Sequence, residues 1–433
     1  MKEFDKIIGY DGIKKELIKI SDALKNDEAY KKLGVTAPRG LLLHGEPGVG
    51  KTLMASAVIK ASGRKAVVCR KDKPNGDFVK TIKKAFAKAK EEAPSIVFLD
   101  DMDKFANGDK RHRDQEEYVT VQSCIDETKG ENVFVLATAN DIEVLPYSLL
   151  RAGRFDRVIE ICNPTGSDAV KIMEHYIKQK KFVGDVDAKT VARMMDGNSC
   201  AALETVINEA GLLAGYERSD EITMKHFIKA CLHTVYDVPT GALEYNGSVA
   251  DITDIDDPLT RVIYHEAGHA TVSEVLRPGT VTLISAYGHN GEPGGFTAYC
   301  HGDYTLTVED RYANACGALG GMAAVEQRCG TADIGTAKDI DLAFKNVYSL
   351  ITLNCVRGFN LRDNYDCSND LKARCDNAAA AEIERLYLKT KEILAKNREL
   401  LDGIATALSE KGVLIASDIA KIKENCRIVP ISV

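Results

Sequence analysis

Short apolar runs alternate with amphipathic stretches along roughly the first 160 residues of the chain. The apolar runs lie at positions 40–44, 66–69, 95–99 and 133–137, and each adjoins a stretch in which apolar residues recur at helical spacing. Continuous apolar strands are typical of a parallel sheet whose two faces are both covered by helices. The pattern therefore predicts an α/β domain, with a parallel sheet flanked by helices.

The pattern changes after residue 163. Apolar residues at helical spacing fill positions 165–235 and predict a small helical subdomain, or lid. Proline, glycine and an acidic run mark 237–260 as a linker, and the chain beyond it is mostly helical, with a β-like insert near 280–300. The acidic run fits a docking surface or, more commonly, a solvated linker. The predicted domains are residues 1–163, 164–236, 237–260 and 261–433.

Composition narrows the class of protein. A chain of 433 residues is too long for one hydrophobic core, so two or three domains are expected. The formal net charge of -7 gives no reason to expect a nucleic-acid binder, because phosphate binding needs clustered Lys and Arg. The 12 cysteines are scattered without a CxxC pair, which indicates reduced thiols rather than a disulfide framework.

The sequence has no stretch with the character of a membrane span or a signal peptide. Its apolar runs fall short of the roughly 18 residues that a spanning helix needs, and its N-terminal segment is charged. These features predict a soluble, cytoplasmic chain without a membrane span. A chain trimmed of a membrane anchor is the alternative.

A glycine-rich segment after the first apolar run fits the phosphate-binding pattern GxxxxGK[ST]. It follows a strand-like run and precedes a helical stretch, which is the context that this motif requires. Backbone N–H groups of such a loop surround phosphates at the N-terminus of the next helix. Lys51 can reach the β- and γ-phosphates of ATP, and the Thr52 hydroxyl can bind Mg²⁺. The predicted nucleotide-binding residues are Gly45, Glu46, Pro47, Gly48, Val49, Gly50, Lys51, Thr52 and Leu53.

The apolar run 95–99 is followed by two acidic residues, which is a Walker B pattern. Asp100 is positioned for the Mg²⁺ shell, and Asp101 stands where a base that activates water would lie. Two acids after a strand are usually only a solvated strand end. Their combination with the upstream phosphate loop favours a nucleotide site.

The segment His265-Glu266-Ala267-Gly268-His269 fits the pattern HExxH. On a helix, residues i and i+4 share a face, so both imidazoles can bind one metal ion. Glu266 can then take a proton from a metal-activated water, which is the chemistry of a zinc metalloprotease. A pair of satisfied core histidines is the alternative. A tetrahedral site needs a third protein ligand, and the residues alone leave Glu326, Asp333, Asp339 and Asp341 open.

Residues 1 to about 235 resemble a AAA+ ATPase module. The resemblance rests on the two nucleotide motifs, on Asn140, and on the segment Arg151-Ala152-Gly153-Arg154-Phe155-Asp156. It implies that Asn140 contacts the γ-phosphate or the attacking water and that Ile8 and Gly9 flank adenine. It also implies that Arg151 and Arg154 act in trans on a neighbour's ATP, in a homo-oligomeric ring that is usually hexameric.

The order of the motifs, HEAGH behind a AAA+ module, resembles the FtsH-type ATP-dependent zinc proteases over nearly the whole chain. In that family the third zinc ligand is an Asp in a segment similar to Gly335-Thr336-Ala337-Lys338-Asp339-Ile340, which implies that Asp339 is the ligand. The run 319–326 is similar to the family's LGG segment. The stretch 294–299 resembles the strand beside the cleft, where an extended substrate adds as a further strand.

The sequence departs from that family mainly in the ATPase part. No segment of the sequence resembles the family's membrane anchor, so we expect a member without one, and Asp101 stands where a Glu, one methylene longer, is usual. No aromatic–Val–Gly pore loop is recognisable near 73–78, where Phe78 fits either a pore aromatic or a core residue. The inter-subunit Asp-Gly-Phe reads Asp126-Glu127-Thr128, and Cys200 and Ala202 replace Gly and Asp in the lid. The peptidase residues are retained while these features drift.

We therefore expect an ATP-dependent zinc endopeptidase that uses Zn²⁺, ATP and Mg²⁺ and works as a ring on protein substrates. Glu266 would be the general base of peptide hydrolysis, and Asp101 would activate water for ATP hydrolysis. Two alternatives follow from the altered ATPase. One is a nucleotide-switched protein that holds or remodels client proteins, and the other is a peptidase independent of ATP whose AAA+ part is a scaffold.

Overall fold

A computed structural model describes residues 2–35, 37–71, 78–106, 115–239, 249–288, 294–300, 307–331, 334–362 and 368–433. The chain divides into two compact units. The first comprises Met1–Gln179 with Gly197–Glu204, and the second comprises Lys180–Asp196 with Thr205–Val433. The domain boundaries at 163, 236 and 260 stay a prediction.

A parallel five-stranded sheet forms the centre of the first unit. Its strands are β1 (Gly40–His44), β2 (Lys65–Cys69), β3 (Ser95–Leu99), β4 (Val133–Ala139) and β5 (Arg157–Glu160). The strand order is β2-β3-β4-β1-β5, and every neighbouring pair is parallel. Leu41, Leu42 and Leu43 are completely buried, as expected for a strand covered on both faces. The α/β fold expected from the sequence is confirmed.

Helices accompany this sheet in the first unit, and two of them contact its strands. The helices are α1 (Asp11–Lys25), α2 (Asp27–Lys32), α3 (Lys51–Ser62), α4 (Phe78–Glu91), α5 (Glu116–Glu127) and α6 (Gly166–Lys178). Helix α3 contacts β1 and β4, and α4 contacts β2 and β3. In α4 the buried residues Ile82, Phe86 and Ala89 recur at helical spacing, so one face of the helix supplies the contact with the sheet.

Phe78, the first residue of α4, lies in the core of the first unit. Its ring is edge-on to that of Phe105, with the ring centroids 4.7 Å apart. This packing favours the core alternative over a pore aromatic. The rest of that stretch, 73–77, lies outside the described residues.

The second unit is mostly helical, as the pattern predicted. Its helices are α7 (Ala188–Met194), α8 (Cys200–Tyr216, whose first residues belong to the first unit), α9 (Met224–Thr234), α10 (Pro258–Leu276), α11 (Val308–Cys329), α12 (Ala337–Thr352), α13 (Asn369–Lys396), α14 (Arg398–Lys411) and α15 (Ala416–Glu424). Helix α10 packs on α11 and α14, and α11 also packs on α12 and α13. These contacts surround α10, which carries the HExxH motif, with the core of the unit.

Glycines bring α10 and α11 unusually close together. A Cβ atom on Gly268 would lie 2.4 Å from the Gly320 carbonyl oxygen, and one on Gly320 would lie 2.7 Å from the Gly268 carbonyl oxygen. Real Cβ atoms do not tolerate such distances, so the crossing requires glycine on both helices. The run 319–326 thus serves the packing of the HExxH helix.

A three-stranded antiparallel sheet completes the second unit. Its strands are β6 (Val281–Ser285), β7 (Phe296–Tyr299) and β8 (Val413–Ile415), in the order β7-β6-β8. Strands β6 and β7 lie within the β-like insert that the sequence predicted. Strand β8 was not predicted, because three residues carry too little pattern to be recognised.

Carboxylates of the acidic run before α10 accept hydrogen bonds from N–H groups of neighbouring residues. Asp257 caps α10, which begins at Pro258, by accepting the Leu259 N–H at 2.9 Å. Asp251 likewise accepts the N–H of Thr253 at 3.0 Å. This local use favours the linker alternative for the acidic run. Residues 240–248 of the linker lie outside the described ranges.

No helix in the described ranges is both long enough and apolar enough to cross a membrane. No disulfide bond joins cysteines in those same ranges.

Candidate nucleotide and peptidase sites

The phosphate loop connects β1 to α3. Gly45, Gly48 and Gly50 all have positive φ angles, of 145°, 85° and 97°. A Cβ atom on Gly45 would lie 2.0 Å from the Ile161 carbonyl oxygen, and one on Gly48 would lie 2.9 Å from the Ser199 hydroxyl. The loop therefore requires glycine for its conformation and for the space it occupies.

Lys51 begins α3 and turns back over the loop. Its ammonium group donates to the Gly45 carbonyl at 2.8 Å and to the Glu46 carbonyl at 2.7 Å. Burial lowers the pKa of Lys51, and the carboxylates of Asp101 and Asp103 partly offset this effect. The unpaired N–H groups at the start of α3 and this ammonium face the same loop, an arrangement suited to phosphate. Among the other predicted contacts, Val49 is buried, while Pro47, Thr52 and Leu53 are exposed.

Asp100 follows β3 and lies between two hydroxyl groups. Its Oδ1 accepts from Thr138 Oγ1 at 2.8 Å and from Thr52 Oγ1 at 3.4 Å, and the residue is 5% exposed. Thr138 lies on the neighbouring strand β4 and also accepts the Asp101 N–H at 2.9 Å. The carboxyl ends of adjacent parallel strands thus bring the Walker B acids to the phosphate loop.

Asp101 adopts a left-handed backbone conformation, with a φ angle of 54°, and its carboxylate faces cations. Lys104 Nζ lies 2.7 Å from Oδ2, and Arg70 Nη2 lies 3.9 Å from the same oxygen. The hydrogen bond to Asp101 raises the pKa of Lys104. The position predicted to activate water is therefore restrained by its neighbours.

Asn140 follows β4 and is fixed by Asp103. Asp103 Oδ1 accepts the Asn140 N–H at 2.9 Å, and Oδ2 accepts from the side-chain Nδ2 at 3.4 Å. The carboxylate holds both the backbone and the amide of Asn140. Since β4 lies between β3 and β1, Asn140 shares the carboxyl edge of the sheet with the phosphate loop and the Walker B acids.

Ile8 and Gly9 lead into Tyr10 and line a groove of about 500 Å³. The Tyr10 hydroxyl lies 3.5 Å from Cys200 Sγ, and this sulfur lies 3.8 Å from the Val49 carbonyl oxygen. The segment predicted to flank adenine is therefore linked to the phosphate loop through one thiol. Cys200, one of the departures from the family, occupies that link.

Arg151 and Arg154 precede β5 and line a cavity of about 400 Å³, together with Arg39 and Lys129. The Arg154 side chain binds the Asp126 carboxylate through Nε and Nη2. Arg151 is exposed, and its side chain has no hydrogen-bond or ion-pair partner within the described part of the chain. The two arginines expected to act in trans thus have different surroundings.

His265 and His269 lie one turn apart on α10, and Asp339 lies in the first turn of α12. The two Nε2 atoms are 2.9 Å apart, and Asp339 Oδ2 lies 3.2 Å from His265 Nε2 and 3.5 Å from His269 Nε2. In a tetrahedral zinc site the ligand atoms are roughly 3.3 Å from one another. The three side chains therefore present two nitrogens and one oxygen at a spacing that fits zinc.

The contact between His269 and Asp339 shifts the pKa values of both groups. Burial by itself would lower the pKa of His269, but the hydrogen bond to Asp339 and the Glu266 carboxylate raise it to about 9. Burial by itself would raise the pKa of Asp339, but its hydrogen bonds with the two histidines bring it below its usual range. Asp339 is thus a carboxylate at neutral pH, which is the form that binds metal.

Helix α11 contacts both histidines of the cluster through its glycines. The Gly317 carbonyl accepts the hydrogen bond of His269 Nδ1 at 2.8 Å, which orients the ring and leaves Nε2 for the cluster. A Cβ atom on Gly321 would lie 2.6 Å from His265 Cε1. Gly317 therefore orients the His269 ring, and Gly321 leaves room for the His265 ring.

Glu266 lies beside His265 and is 5% exposed. Burial raises the pKa of its carboxyl group, and the two histidines partly offset this effect. Thr297 of β7 donates a hydrogen bond to Glu266 Oε2 at 2.8 Å. A buried carboxyl group with a raised pKa suits a residue that takes up a proton and passes it on.

The sequence left three other acids open as the third metal ligand. Two of them lie away from the cluster, and the third lies outside the described residues. Glu326 accepts hydrogen bonds from the Tyr387 hydroxyl and from Lys391, the latter at 2.8 Å. Asp341 is exposed on α12 and does not join the two histidines. Asp333 lies outside the described residues. Of the four, Asp339 is the acid whose described position completes the group.

Several residues at these sites escaped the sequence reasoning. Asp103 and Lys104 lie within four residues of Asp100 in the sequence. This short separation alone indicates that their side chains could contact the Walker B region. Thr138 and Thr297 gave no such signal, because each contacts its partner across the fold. The Thr297 contact joins residues that are 31 positions apart.

Known proteins resemble this chain both in the part with the nucleotide motifs and in the part with the HExxH helix. Residues 41–163 match the family described as "ATPase family associated with various cellular activities (AAA)". ATP-dependent zinc metalloprotease FtsH 2 of Thermoanaerobacter sp. (strain X514) is 30% identical over 440 residues, which cover 97% of this chain and 82% of that protein. ATP-dependent zinc metalloprotease FtsH of Karelsulcia muelleri (strain DMIN) is 30% identical over 97% of this chain and 70% of that protein.

A third relative, ATP-dependent zinc metalloprotease FtsH of Mycoplasma mobile, is 29% identical over 98% of this chain. The chain spans 63% of that relative, under two thirds of its length. The similarity to the first two relatives extends across both the nucleotide motifs and the HExxH helix. The chain therefore belongs to the family of FtsH-type ATP-dependent zinc metalloproteases.

Proposed function

We propose that the chain is an ATP-dependent zinc endopeptidase that acts on polypeptides as a homo-oligomeric ring. The observation that carries the proposal is the convergence of His265, His269 and Asp339, whose ligand atoms are 2.9 to 3.5 Å apart. Two imidazoles and a carboxylate are a donor set of catalytic zinc sites, in which a fourth position serves water or substrate. The buried Glu266 next to this cluster supplies the base that such a site needs.

The chemistry divides between the ion and the protein. A zinc ion held by the cluster supplies Lewis acidity, which polarises the scissile carbonyl group and lowers the pKa of water. Glu266 takes the proton from the attacking water and delivers it to the nitrogen of the departing amine. The raised pKa of Glu266 suits both transfers, because the carboxyl group must hold the proton between them. Gly317 keeps His269 in the tautomer that leaves its Nε2 free.

The proposed nucleotide is ATP with Mg²⁺. Lys51 and the N-terminus of α3 would hold the β- and γ-phosphates. Thr52 and Asp100, whose oxygens are 3.4 Å apart, would hold Mg²⁺, and Asn140 and Asp101 would orient and activate water. The remaining proposed contacts are Ile8, Gly9, Gly45, Glu46, Pro47, Gly48, Val49, Gly50 and Leu53.

The proposal of a ring rests on Arg151 and Arg154. An arginine supplied to a neighbour's ATP neutralises charge in the phosphoryl transition state, so hydrolysis would require assembled subunits. A hexamer, protein substrates, the absence of a nucleic-acid partner and a cytoplasmic location stay predictions from the sequence.

Degradation of two substrates tests this function. An unfolded protein and a stably folded one are each incubated with ATP, with a non-hydrolysable analogue and with no nucleotide. We expect both to be degraded only with hydrolysable ATP. His265→Ala should abolish degradation while leaving ATP hydrolysis in place, because it removes a zinc ligand and touches no nucleotide contact. Unchanged proteolysis in His265→Ala would refute the assignment of the zinc centre.

A second candidate function is favoured by the pairing of Asp101 with Lys104 at 2.7 Å. This ion pair occupies the carboxylate that is proposed to contact the attacking water, so the AAA+ part would serve as a scaffold or gate for an energy-independent peptidase. Lys51→Ala separates the two functions when its assembly state is checked in parallel. Cleavage of the unfolded substrate at the wild-type rate by an intact Lys51→Ala assembly would favour the second function.

A further inference from the structure

We propose that Thr297 is a positioning residue of the peptidase reaction, whose hydroxyl group fixes the Glu266 carboxylate in its working orientation. The inference rests on the proposed function, because it presupposes that Glu266 transfers protons during peptide hydrolysis. The HExxH pattern does not point to this threonine, which lies on a separate strand.

The Thr297 hydroxyl contacts Glu266 at two points. Its oxygen lies 2.8 Å from the carboxylate Oε2 and 3.3 Å from the main-chain carbonyl oxygen of the same residue. A hydroxyl group has one proton to donate, and the shorter distance favours the carboxylate. Hydrogen bonds to a charged acceptor are also the stronger kind. Oε2 is thereby held, and Oε1 is the oxygen that has no hydrogen-bond donor among the described residues.

The surroundings of Glu266 make it dependent on this one donor. The residue is 5% exposed, so little water is available to orient its carboxylate. Gly295, two positions before Thr297, lies so close that a Cβ atom on it would be 2.6 Å from Glu266 Cγ. The segment from Gly295 to Thr297 therefore both confines the aliphatic part of Glu266 and binds its charged end.

The location of Thr297 predicts which kinetic constant responds. Strand β7 is at the edge of the sheet, and within the described residues only β6 pairs with it. An extended peptide adds to such an edge through its main chain, which a change of side chain at Thr297 leaves in place. Loss of the hydroxyl should therefore reduce turnover at saturating peptide and leave the binding of the peptide nearly unchanged.

Three variants of the full chain test the proposal, with a fluorogenic unstructured peptide as substrate and zinc content, ATP hydrolysis and Tm measured in parallel. Thr297→Val keeps the shape and removes the hydroxyl, and Thr297→Ser keeps the hydroxyl. Thr282→Val is the matched control, because it removes a buried hydroxyl that contacts the Ala298 carbonyl of β7 at 3.2 Å and does not touch Glu266.

We expect Thr297→Val to lower kcat by roughly 10- to 100-fold, as the loss of a hydrogen bond to a charged group implies, with KM within roughly 3-fold. Thr297→Ser and Thr282→Val should keep kcat within roughly 3-fold of the wild type. A wild-type kcat in Thr297→Val overturns the inference. An equal loss in Thr297→Ser or in Thr282→Val overturns it as well, because the effect then belongs to the fold of the sheet. A zinc-loaded wild type that cleaves no peptide overturns the proposed function itself, and the inference with it.

Discussion

Arg154 and Asp126 form a two-point ion pair, in which Nε donates to Oδ1 at 3.1 Å and Nη2 donates to Oδ2 at 2.7 Å. The remaining nitrogen, Nη1, donates to the Ser148 carbonyl and lies 3.3 Å from Gln122 Oε1. The hydrogen bond with Arg154 lowers the pKa of Asp126. Arg154 is thus engaged within its own chain, whereas Arg151 has no such partner in the described ranges. The two arginines should therefore not be equivalent.

We expect substitution of the two arginines to separate stability from catalysis. Arg154→Ala and Asp126→Asn should each lower the free energy of unfolding by about 1 kcal/mol, and the double variant should lose less than the sum of the two, because both disrupt the same ion pair. Arg151→Ala should leave Tm unchanged but reduce ATP hydrolysis by a factor on the order of 10³, as for an arginine supplied in trans. Thermal unfolding and steady-state ATP hydrolysis decide the matter. An Arg154→Ala variant with wild-type Tm and the same catalytic loss as Arg151→Ala would contradict this division.

Lys104 should restrain ATP hydrolysis through its ion pair with Asp101. Lys104→Met removes the cation that lies 2.7 Å from Asp101 Oδ2 and leaves the carboxylate free to contact the attacking water. We expect the kcat of ATP hydrolysis to rise severalfold. Lys60→Met, an exposed substitution on α3, is the control and should change nothing. A fall in kcat with Lys104→Met would mean that this ammonium group assists the reaction instead.

Asp339 and Glu326 should differ in their effect on zinc. Asp339→Asn removes the charge of a proposed ligand, so we expect purified protein to lose most of its zinc and to resist restoration by added Zn²⁺. Glu326→Gln weakens the contacts with Tyr387 and Lys391 and should keep a full complement of zinc. Metal analysis after dialysis is the measurement. Chelation should also lower Tm of the wild type, since an ion that binds only the folded state stabilises it, and it should not lower Tm of Asp339→Asn. Equal zinc contents in the two variants would exclude Asp339 as the third ligand.

Gly321 should be essential to the position of His265. Gly321→Ala places a methyl group about 2.6 Å from His265 Cε1, so the ring must move away from the cluster. We expect zinc to be lost and the free energy of unfolding to fall by about 1 to 3 kcal/mol. Gly215→Ala is the matched control, because this helical glycine has no neighbour within 4 Å of an added Cβ atom. That control should be neutral or slightly stabilising, since alanine is the better helix former. Full zinc occupancy in Gly321→Ala would show that the His265 ring can accommodate the added methyl group and still bind zinc, which would contradict this prediction.

The elements that were predicted from the sequence are those whose pattern is local. Strands β3 and β4 are buried throughout, and β1 is buried in all but its last residue, His44, so the three appear as largely apolar runs. Strand β5, with the sequence RVIE, buries one residue of four and carries no such pattern. Its place at the edge of the sheet follows from pairing with β1, which a single sequence does not reveal.

The candidate sites divide in the same way. The phosphate loop, the Walker B acids and HExxH are short motifs whose spacing encodes their geometry. Asp339 needed the resemblance to a family, because 70 residues separate it from His269 and no local pattern links them. The roles of Thr297 and Gly321 depend on packing between distant segments, which appears only in three dimensions.

The buried ion pair of Glu382 on α13 should make the stability of the second unit depend on pH. The Glu382 side chain is 3% exposed and is bound by Arg357 and by Arg385, the latter at 2.9 Å. Burial by itself would raise the pKa of Glu382, but the two arginines bring it below its usual range. In the unfolded chain the group has a pKa of about 4.3, so as pH falls the unfolded state takes up the proton first. The ion pair therefore stabilises the fold above about pH 4.3, and its contribution is lost as pH falls through the lower pKa of the folded state.

We expect Glu382→Gln to lower the free energy of unfolding by about 1 to 2 kcal/mol at pH 7, because it removes the charge from hydrogen bonds to two guanidinium groups. The difference from the wild type should persist at pH 6 and shrink below about pH 4.3. Urea denaturation at several pH values measures it. Glu384→Gln, an exposed change on the same helix, is the control and should show no difference at any pH. A difference that grows as the pH falls would mean that Glu382 is protonated in the folded chain and binds the two arginines as a neutral acceptor.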